Sequence, residues 1–107
     1  MTETSTGYVT VLWEARAKPG RGAAMKEFLT AAVTSSRHDA GNIDYEVHEV
    51  EQQPGTFVIF ERWETRAALT DHLGAPRMRE LVPQLEELTD GSVEDGLRLL
   101  VPLRPAG

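Results

Sequence analysis

Hydrophobic and polar residues alternate along three stretches of the chain, and a period of two is typical of half-buried β-strands. These stretches are Tyr8 to Ala17, Ile43 to Glu51 and Thr56 to Glu64. A fourth apolar stretch, Leu97 to Leu103, is interpreted as a last strand. Pro102 within it and Pro105 just beyond it predict a sheet edge or a frayed end, because proline has no N–H to donate to a neighbouring strand.

Between the strands, apolar residues recur every three to four positions, which is the period of an amphipathic helix. A first helix is predicted from Arg21 to about His38, where the turn residues of "DAGN" follow. A second begins after Thr65, whose hydroxyl can cap a free backbone amide, and ends at "GAP". Its inner face carries Ala68, Leu69, His72 and Leu73. A further helical run, Met78 to Leu88, contains Pro83, which predicts a kink or a turn boundary.

The order of these elements, βαββαβ, indicates a ferredoxin-like α+β fold. The short turn "QQPG" makes the second and third strands antiparallel neighbours. Right-handed crossovers then place the helices on one face of a four-stranded antiparallel sheet. A chain of 107 residues fits one hydrophobic core, so residues 1–107 are predicted to form a single domain with its core at about 8–103. The other sheet face stays uncovered, which predicts a homodimer that packs sheet on sheet.

Composition excludes several classes of function. Seventeen acidic against eleven basic side chains give a net charge of −6, which disfavours nucleic acid and anionic membranes as partners. RNA-binding domains share the βαββαβ order, but the basic and aromatic pattern that they carry on the central strands is missing. The absence of cysteine excludes disulfides and thiolate metal sites. A polar amino end, "MTETSTG", and the lack of a long apolar run predict a cytoplasmic protein.

The stretch "FVIFERWETRAALTDHL" concentrates the residues with the most chemistry. Glu61 and Trp63 point to the same face of their strand. If the helices cover that face, His72 can approach Trp63, and the three side chains would line one cavity. His72 then suits the role of a base at neutral pH. Trp63 offers a flat apolar wall and one N–H donor, and Glu61 could orient the imidazole or a substrate hydroxyl.

Structural roles explain the same residues as well. A histidine on an apolar helical face can be a hydrogen-bonded core residue, and a tryptophan there can be packing alone. Glu61 could pair with Arg16 or Arg62, and such a surface pair would contribute only about 0–1 kcal/mol.

Four further residues are candidates for binding a substrate. Tyr45, Trp13 and Phe28 could form pocket walls or belong to the core, and Asn42 could donate to a ligand or serve the turn. The other two histidines are weaker candidates, because His38 lies at a helix end and His48 faces away from Tyr45. The three histidines are spaced by ten and twenty-four residues, which fits no local ligand motif, so no metal site is predicted.

Three segments, "SRHDAGNIDYEVH", "FVIFERWETRAALTDHL" and "APRM", resemble the antibiotic biosynthesis monooxygenase family, including its quinol monooxygenase members. The most specific element is E-x-W followed nine residues later by His, here Glu61, Trp63 and His72. The resemblance spans roughly Tyr8 to Leu103 and implies a dimeric α+β barrel of ferredoxin-like subunits. Many relatives have a histidine directly after the small residue and proline of "APRM", where this chain has Arg77. The haem-degrading relatives need an axial histidine on a helix, and none can be placed downstream of His72.

The resemblance also implies a chemistry, since many members oxidise quinols or polyketide anthrones with oxygen and no bound cofactor. Triplet oxygen can take one electron from an electron-rich anion, so such an enzyme must deprotonate its substrate and keep the anion away from water. The leading hypothesis is therefore a cofactor-independent monooxygenase acting on a quinol-like or aromatic polyketide substrate. The alternative is a non-catalytic dimer that binds a small hydrophobic ligand.

Overall fold

A computed structural model describes residues 8–103, and the sequence segments "MTETSTG" and Pro105 lie outside that range. The long strands are β1 (Val9–Ala17), β2 (Asn42–Glu49) and β3 (Thr56–Trp63). The helices are α1 (Gly22–Ser36), α2 (Arg66–Leu73) and α3 (Pro76–Leu88). The chain continues with β4 (Thr89–Asp90), a 3-10 turn (Glu94–Gly96) and β5 (Leu97–Leu100). The predicted α+β, ferredoxin-like class is confirmed.

The sheet is antiparallel, with β3 between β2 and β1. It has five strands instead of the predicted four, because β4 and β5 both pair with β1 on its other side. In the segment "TDGSVEDG", which is rich in turn residues, Thr89 and Asp90 pair with the end of β1 before the chain turns. Gly96 returns the chain to β1 so closely that a Cβ would stand 2.0 Å from the Glu14 carbonyl oxygen.

The last two helices follow their local sequence signals closely. The Thr65 hydroxyl accepts a hydrogen bond from the Ala68 amide at 3.0 Å, so the predicted cap of α2 is confirmed. Pro76 occupies the first turn of α3, where its missing N–H costs nothing. Because α3 continues through Pro83 without interruption, the predicted turn boundary there is wrong. A proline removes only one intrahelical hydrogen bond, and apolar residues recur at helical spacing on both sides of Pro83.

The helices cover one face of the sheet, and the core lies between them. The buried apolar residues of this layer are Val11, Trp13, Ala17, Met25, Leu29, Val33, Tyr45, Phe57, Ile59, Trp63, Leu69 and Leu88. Burying a valine, leucine, isoleucine, phenylalanine or methionine side chain contributes about 1.5–3 kcal/mol, so this layer dominates the stability. The alternating face of β3 that includes Glu61 and Trp63 is therefore the face under the helices, as the sequence hypothesis requires.

The opposite face of the sheet has no helix over it. Its middle is apolar, with half-buried Leu12 and Phe60 on neighbouring strands and exposed Leu100 on β5. On the same face, Arg62 forms an ion pair with Asp44. Within residues 8–103, no helix is long and apolar enough to cross a membrane.

Candidate active site

Strand β3 and helix α2 bring Glu61, Trp63 and His72 into one cluster. The His72 ring lies over the Trp63 ring, with 4.6 Å between centroids and 33° between planes. The Trp63 Nε1–H donates to Glu61 Oε1 at 2.9 Å. All three are buried, at 0% exposure for Trp63, 3% for His72 and 5% for Glu61. The two aromatic rings and the carboxylate therefore form one contiguous interior group.

Local packing fixes α2 over this end of the sheet. Thr65 starts α2 directly after β3, so the helix folds back on the strand that precedes it. The turn between α1 and β2 packs against α2 from the other side. Gly41 has φ +82°, and a Cβ there would lie 2.5 Å from the Ala68 Cβ, so only glycine allows this approach. That contact brings Asp39, two residues earlier in the turn, to the edge of α2.

Asp39 completes the cluster, together with Arg77 from α3. Asp39 Oδ2 lies 2.7 Å from His72 Nδ1. The Arg77 guanidinium donates to both oxygens of the same carboxylate, at 3.2 Å to Oδ1 and 2.8 Å to Oδ2. From the sequence alone, Asp39 is a residue of the turn "DAGN", and Arg77 is the position where many relatives have a histidine. Separations of 33 and 38 residues along the chain leave no local signal that would have found them.

Burial raises the pKa of one group of the cluster, Glu61, and lowers that of another, His72. It raises the pKa of Glu61 to about 7, against the opposing hydrogen bond from Trp63. It lowers the pKa of His72, and the adjacent Asp39 carboxylate acts in the opposite direction. The hydrogen bonds from Arg77 are the main reason that the pKa of Asp39 lies below its ordinary value. At neutral pH, His72 is therefore mainly neutral and Asp39 is ionised.

Tyr45 forms another wall of the cluster. Its ring meets the His72 ring edge-on, with 5.8 Å between centroids and 66° between planes. Burial, with the nearby Glu61 carboxylate second, raises the pKa of the Tyr45 phenol, which keeps its proton at neutral pH. Tyr45 also lies opposite Glu61 in the β2–β3 register.

The other predicted binding residues make their contacts elsewhere. Trp13 is buried and its Nε1–H donates to the Val93 carbonyl at 2.8 Å. Phe28 is half-buried against the core. The Asn42 amide donates to the Asp44 carbonyl at 3.0 Å, where the register between β2 and β3 shifts, so it serves the backbone there. Glu61 pairs with neither predicted arginine, since Arg62 bonds Asp44 on the opposite face.

The remaining histidines are exposed. His38 Nδ1 lies 2.9 Å from the Thr34 carbonyl oxygen, one turn earlier in the chain. His48 lies 3.9 Å from Glu46 on the outer face of β2. Among residues 8–103, no three histidine, aspartate or glutamate side chains are grouped so that they could hold a metal ion.

Three cavities lined by described residues lie away from the cluster. The two largest, of about 610 and 560 Å³, lie at the carboxyl end of β1 beside Lys18 and on the outer face beside Phe60. The third, of about 340 Å³, lies against Gly96. The predicted cavity bordered by Glu61, Trp63 and His72 is not one of these three.

Comparison with known proteins assigns the chain to a family. The family model "Antibiotic biosynthesis monooxygenase" matches residues 8–84, which include every member of the cluster. The chain belongs to this family. It is 31% identical over 101 residues to "Putative monooxygenase Rv0793" of Mycobacterium tuberculosis, covering 94% of this chain and 97% of that protein.

Solved structures agree with this assignment. The structure of Rv0793 superposes with a TM-score of 0.82 at 30% identity, over 94% of this chain and all of the other. PA3566 from Pseudomonas aeruginosa gives a TM-score of 0.78 at 26% identity, over 98% of this chain and 100% of the other. A conserved protein of Methanosarcina mazei gives 0.80 at 20% identity, over 89% and 92% of the two chains, and shows the shared fold alone.

Proposed function

We propose that the protein is a cofactor-independent monooxygenase that oxidises a quinol-like or aromatic polyketide substrate with molecular oxygen. The observation that carries this proposal is the buried His72, stacked on Trp63 and held at Nδ1 by Asp39. Family membership supports monooxygenase chemistry in general, and the name of Rv0793 points the same way. In this proposal His72 is the base, Trp63 and Tyr45 are walls for an aromatic ring, and Glu61 orients the substrate through its hydrogen-bonding oxygens.

The proposed first step is removal of a substrate proton. His72 is mainly neutral at neutral pH because burial lowers its pKa, so its imidazole can accept a proton. The surrounding aromatic rings keep water away from the resulting anion. Asp39 on the far side of the ring stabilises the imidazolium that forms.

The anion can then react with oxygen without a bound cofactor. For an anthrone, it passes one electron to O₂, and the two radicals combine to a peroxide anion on carbon. That anion takes back the proton from His72, and the hydroperoxide loses water to leave a carbonyl. The methylene carbon thus supplies two hydrogens and four electrons, one oxygen atom stays in the product, and the other leaves as water.

A substrate ring needs space between these side chains, and the cluster borders solvent at the ion pair. The side chains of Asp39 and Arg77 are 20% and 32% exposed, whereas that of His72 is 1% exposed. The ion pair therefore forms the solvent-facing edge of the cluster on the Nδ1 side of His72, and the substrate has to reach the opposite, Nε2 side of the ring.

We also propose that the protein is a homodimer whose sheets face one another, in the cytoplasm. The uncovered face supports this, since Leu12, Phe60 and Leu100 form an apolar patch beside the cavity of about 560 Å³. Apolar patches of this kind on a sheet are usually covered by a second subunit. Two subunits packed sheet against sheet would form the dimeric α+β barrel.

One observation favours the alternative, a non-catalytic dimer that binds a hydrophobic ligand. Among the described residues, the only buried side-chain nitrogen or oxygen without a hydrogen-bond partner is Arg77 Nε. The other fully buried polar atoms thus have partners within the protein, as they do in a structural core.

Oxygen consumption separates the two functions. The purified protein is incubated with a panel of quinols and anthrones in an oxygen-electrode cell, and products are identified by mass. Turnover with a product that has gained one oxygen atom supports the monooxygenase. Saturable binding of the same compounds with no oxygen uptake above the buffer rate would favour the binding protein. The absorbance spectrum of the purified protein should show neither flavin nor haem.

A further inference from the structure

We propose that Asp39 is a positioning residue that holds His72 in the tautomer protonated at Nδ1, which leaves Nε2 as the nitrogen that accepts a proton. Arg77 keeps the Asp39 carboxylate ionised so that it can accept this hydrogen bond. The catalytic consequence rests on the proposed function, whereas the assignment of the tautomer stands on the hydrogen-bond network alone.

The donor and acceptor inventory of the network decides the tautomer. Arg77 donates to both oxygens of Asp39, and a guanidinium has no acceptor. A carboxylate that receives this bidentate pair is ionised and can only accept. His72 Nδ1, 2.7 Å from Oδ2, must therefore be the donor. In the neutral ring the proton is then on Nδ1, and the lone pair is on Nε2.

Four charged or titratable groups belong to the cluster around the imidazole, each from a different segment, and Glu61 reaches it through Trp63. Asp39 lies in the turn after α1, Arg77 on α3, Glu61 on β3 and Tyr45 on β2. Tyr45 keeps its proton at neutral pH, and Glu61 changes charge near neutrality because burial raises its pKa to about 7. The pH dependence of the rate alone would combine the titrations of His72 and Glu61. The decisive measurement must therefore report on the His72 ring itself.

Substitutions of Asp39 and of Arg77 should shift the pKa of His72 in opposite directions. The Asp39 carboxylate raises the pKa of His72, so Asp39→Ala should lower it further. The positive charge of Arg77 lowers the pKa of His72, so Arg77→Gln should raise it while Asp39 still holds Nδ1. A packing role for these residues gives no reason for opposite signs.

The test is nitrogen NMR of the His72 ring, with ¹⁵N-histidine-labelled protein titrated from acid to alkaline pH. The wild-type neutral ring should show a protonated Nδ1 and an unprotonated Nε2. In Asp39→Ala the population should move toward the Nε2–H form that free histidine prefers, and Asp39→Glu should restore the wild-type signals. Asp71→Ala, which removes an exposed carboxylate next to His72 on α2, is the matched control and should change neither tautomer nor pKa.

A wild-type tautomer that survives in Asp39→Ala would overturn the proposal. If Asp39→Ala does not fold, the wild-type spectrum decides, because a neutral His72 ring protonated at Nε2 in the wild type would overturn the assignment equally. On any substrate that the wild type oxidises, Asp39→Ala should lower the plateau rate at least about ten-fold, since a misoriented base loses much of its advantage. If the wild type oxidises none, the proposed function fails, and the NMR result still decides the role of Asp39.

Discussion

Each face of the sheet has an Asp–Arg pair, and the two pairs differ in what lies beside them. On the helix side, Asp39 and Arg77 flank the buried ring of His72. On the outer side, Asp44 and Arg62 form a pair that is about one third exposed, and Arg62 lies over the Tyr8 ring, 4.9 Å from its centroid. The same residue types thus serve a buried titratable group on one face and an uncovered surface on the other. The surroundings of each pair, more than its residue types, decide whether it lies beside a buried titratable group or on an uncovered surface.

The largest expected effect is on the helix side. His72→Ala should reduce the oxidation rate by about 10²–10⁴, because a positioned base contributes about that much. The wild-type rate should rise with pH through the His72 pKa, which burial places below its ordinary value, and the variant should lose this rise while any change caused by Glu61 near pH 7 remains. Oxygen uptake across pH measures both.

The control for this variant is His48→Ala, which removes an exposed histidine on the outer face of β2. Near-normal turnover of an intact His72→Ala protein would remove the catalytic role and leave His72 as a core residue. In that case its loss should show as a stability decrease of roughly 1–3 kcal/mol.

The second effect concerns the outer side. Phe60→Glu should weaken the dimer by at least about a hundred-fold, because symmetry buries the introduced carboxylate twice in one interface. Sedimentation at micromolar concentration should show a dimer for the wild type and a monomer for the variant. Leu73 is exposed on α2, so its predicted place on the inner face of that helix is wrong, and Leu73→Glu should leave the dimer intact. A wild-type monomer under these conditions would refute the assembly.

The sequence predicted the strands, the hairpin, the cap of α2 and the convergence of Glu61, Trp63 and His72, since each rests on local periodicity or spacing. It did not predict β4, because backbone pairing of Thr89 with the end of β1 leaves no mark on side-chain pattern. Asp39 was likewise missed, since its role arises when Gly41 lets the turn approach α2. Contacts between distant segments depend on how the elements pack, and a single sequence does not record that.

The third effect is on stability. Glu61 in the folded protein has its pKa raised from 4.5 to about 7, so folding favours its protonated form. This contribution is fully present below about pH 4.5 and is lost as pH rises to 7, above which the buried charge costs a constant amount. Glu61→Gln removes that loss and should be more stable than the wild type above pH 7, by roughly 1–3 kcal/mol.

Urea unfolding of both proteins at pH 5 and pH 8 measures this difference. The contribution of His72 has the opposite slope, since its lowered pKa makes stability fall as the solution becomes acidic, and it cancels when the two proteins are compared at each pH. Equal stability differences at pH 5 and pH 8 would show that Glu61 does not titrate in this range.

The smallest effect tests the element that holds His72 in place. Helix α2 has only eight residues, too few to be stable by itself, and its Thr65 cap satisfies the Ala68 amide. Thr65→Ala should therefore destabilise the protein by about 1 kcal/mol, whereas Thr70→Ala, at an exposed position within α2, should change stability by less than about 0.5 kcal/mol. Because α2 places His72 over Trp63, the cap variant should also increase hydrogen exchange of the α2 amides without affecting the outer sheet face. Unchanged exchange in α2 would mean that packing against the turn at Gly41 is sufficient to hold the helix in place.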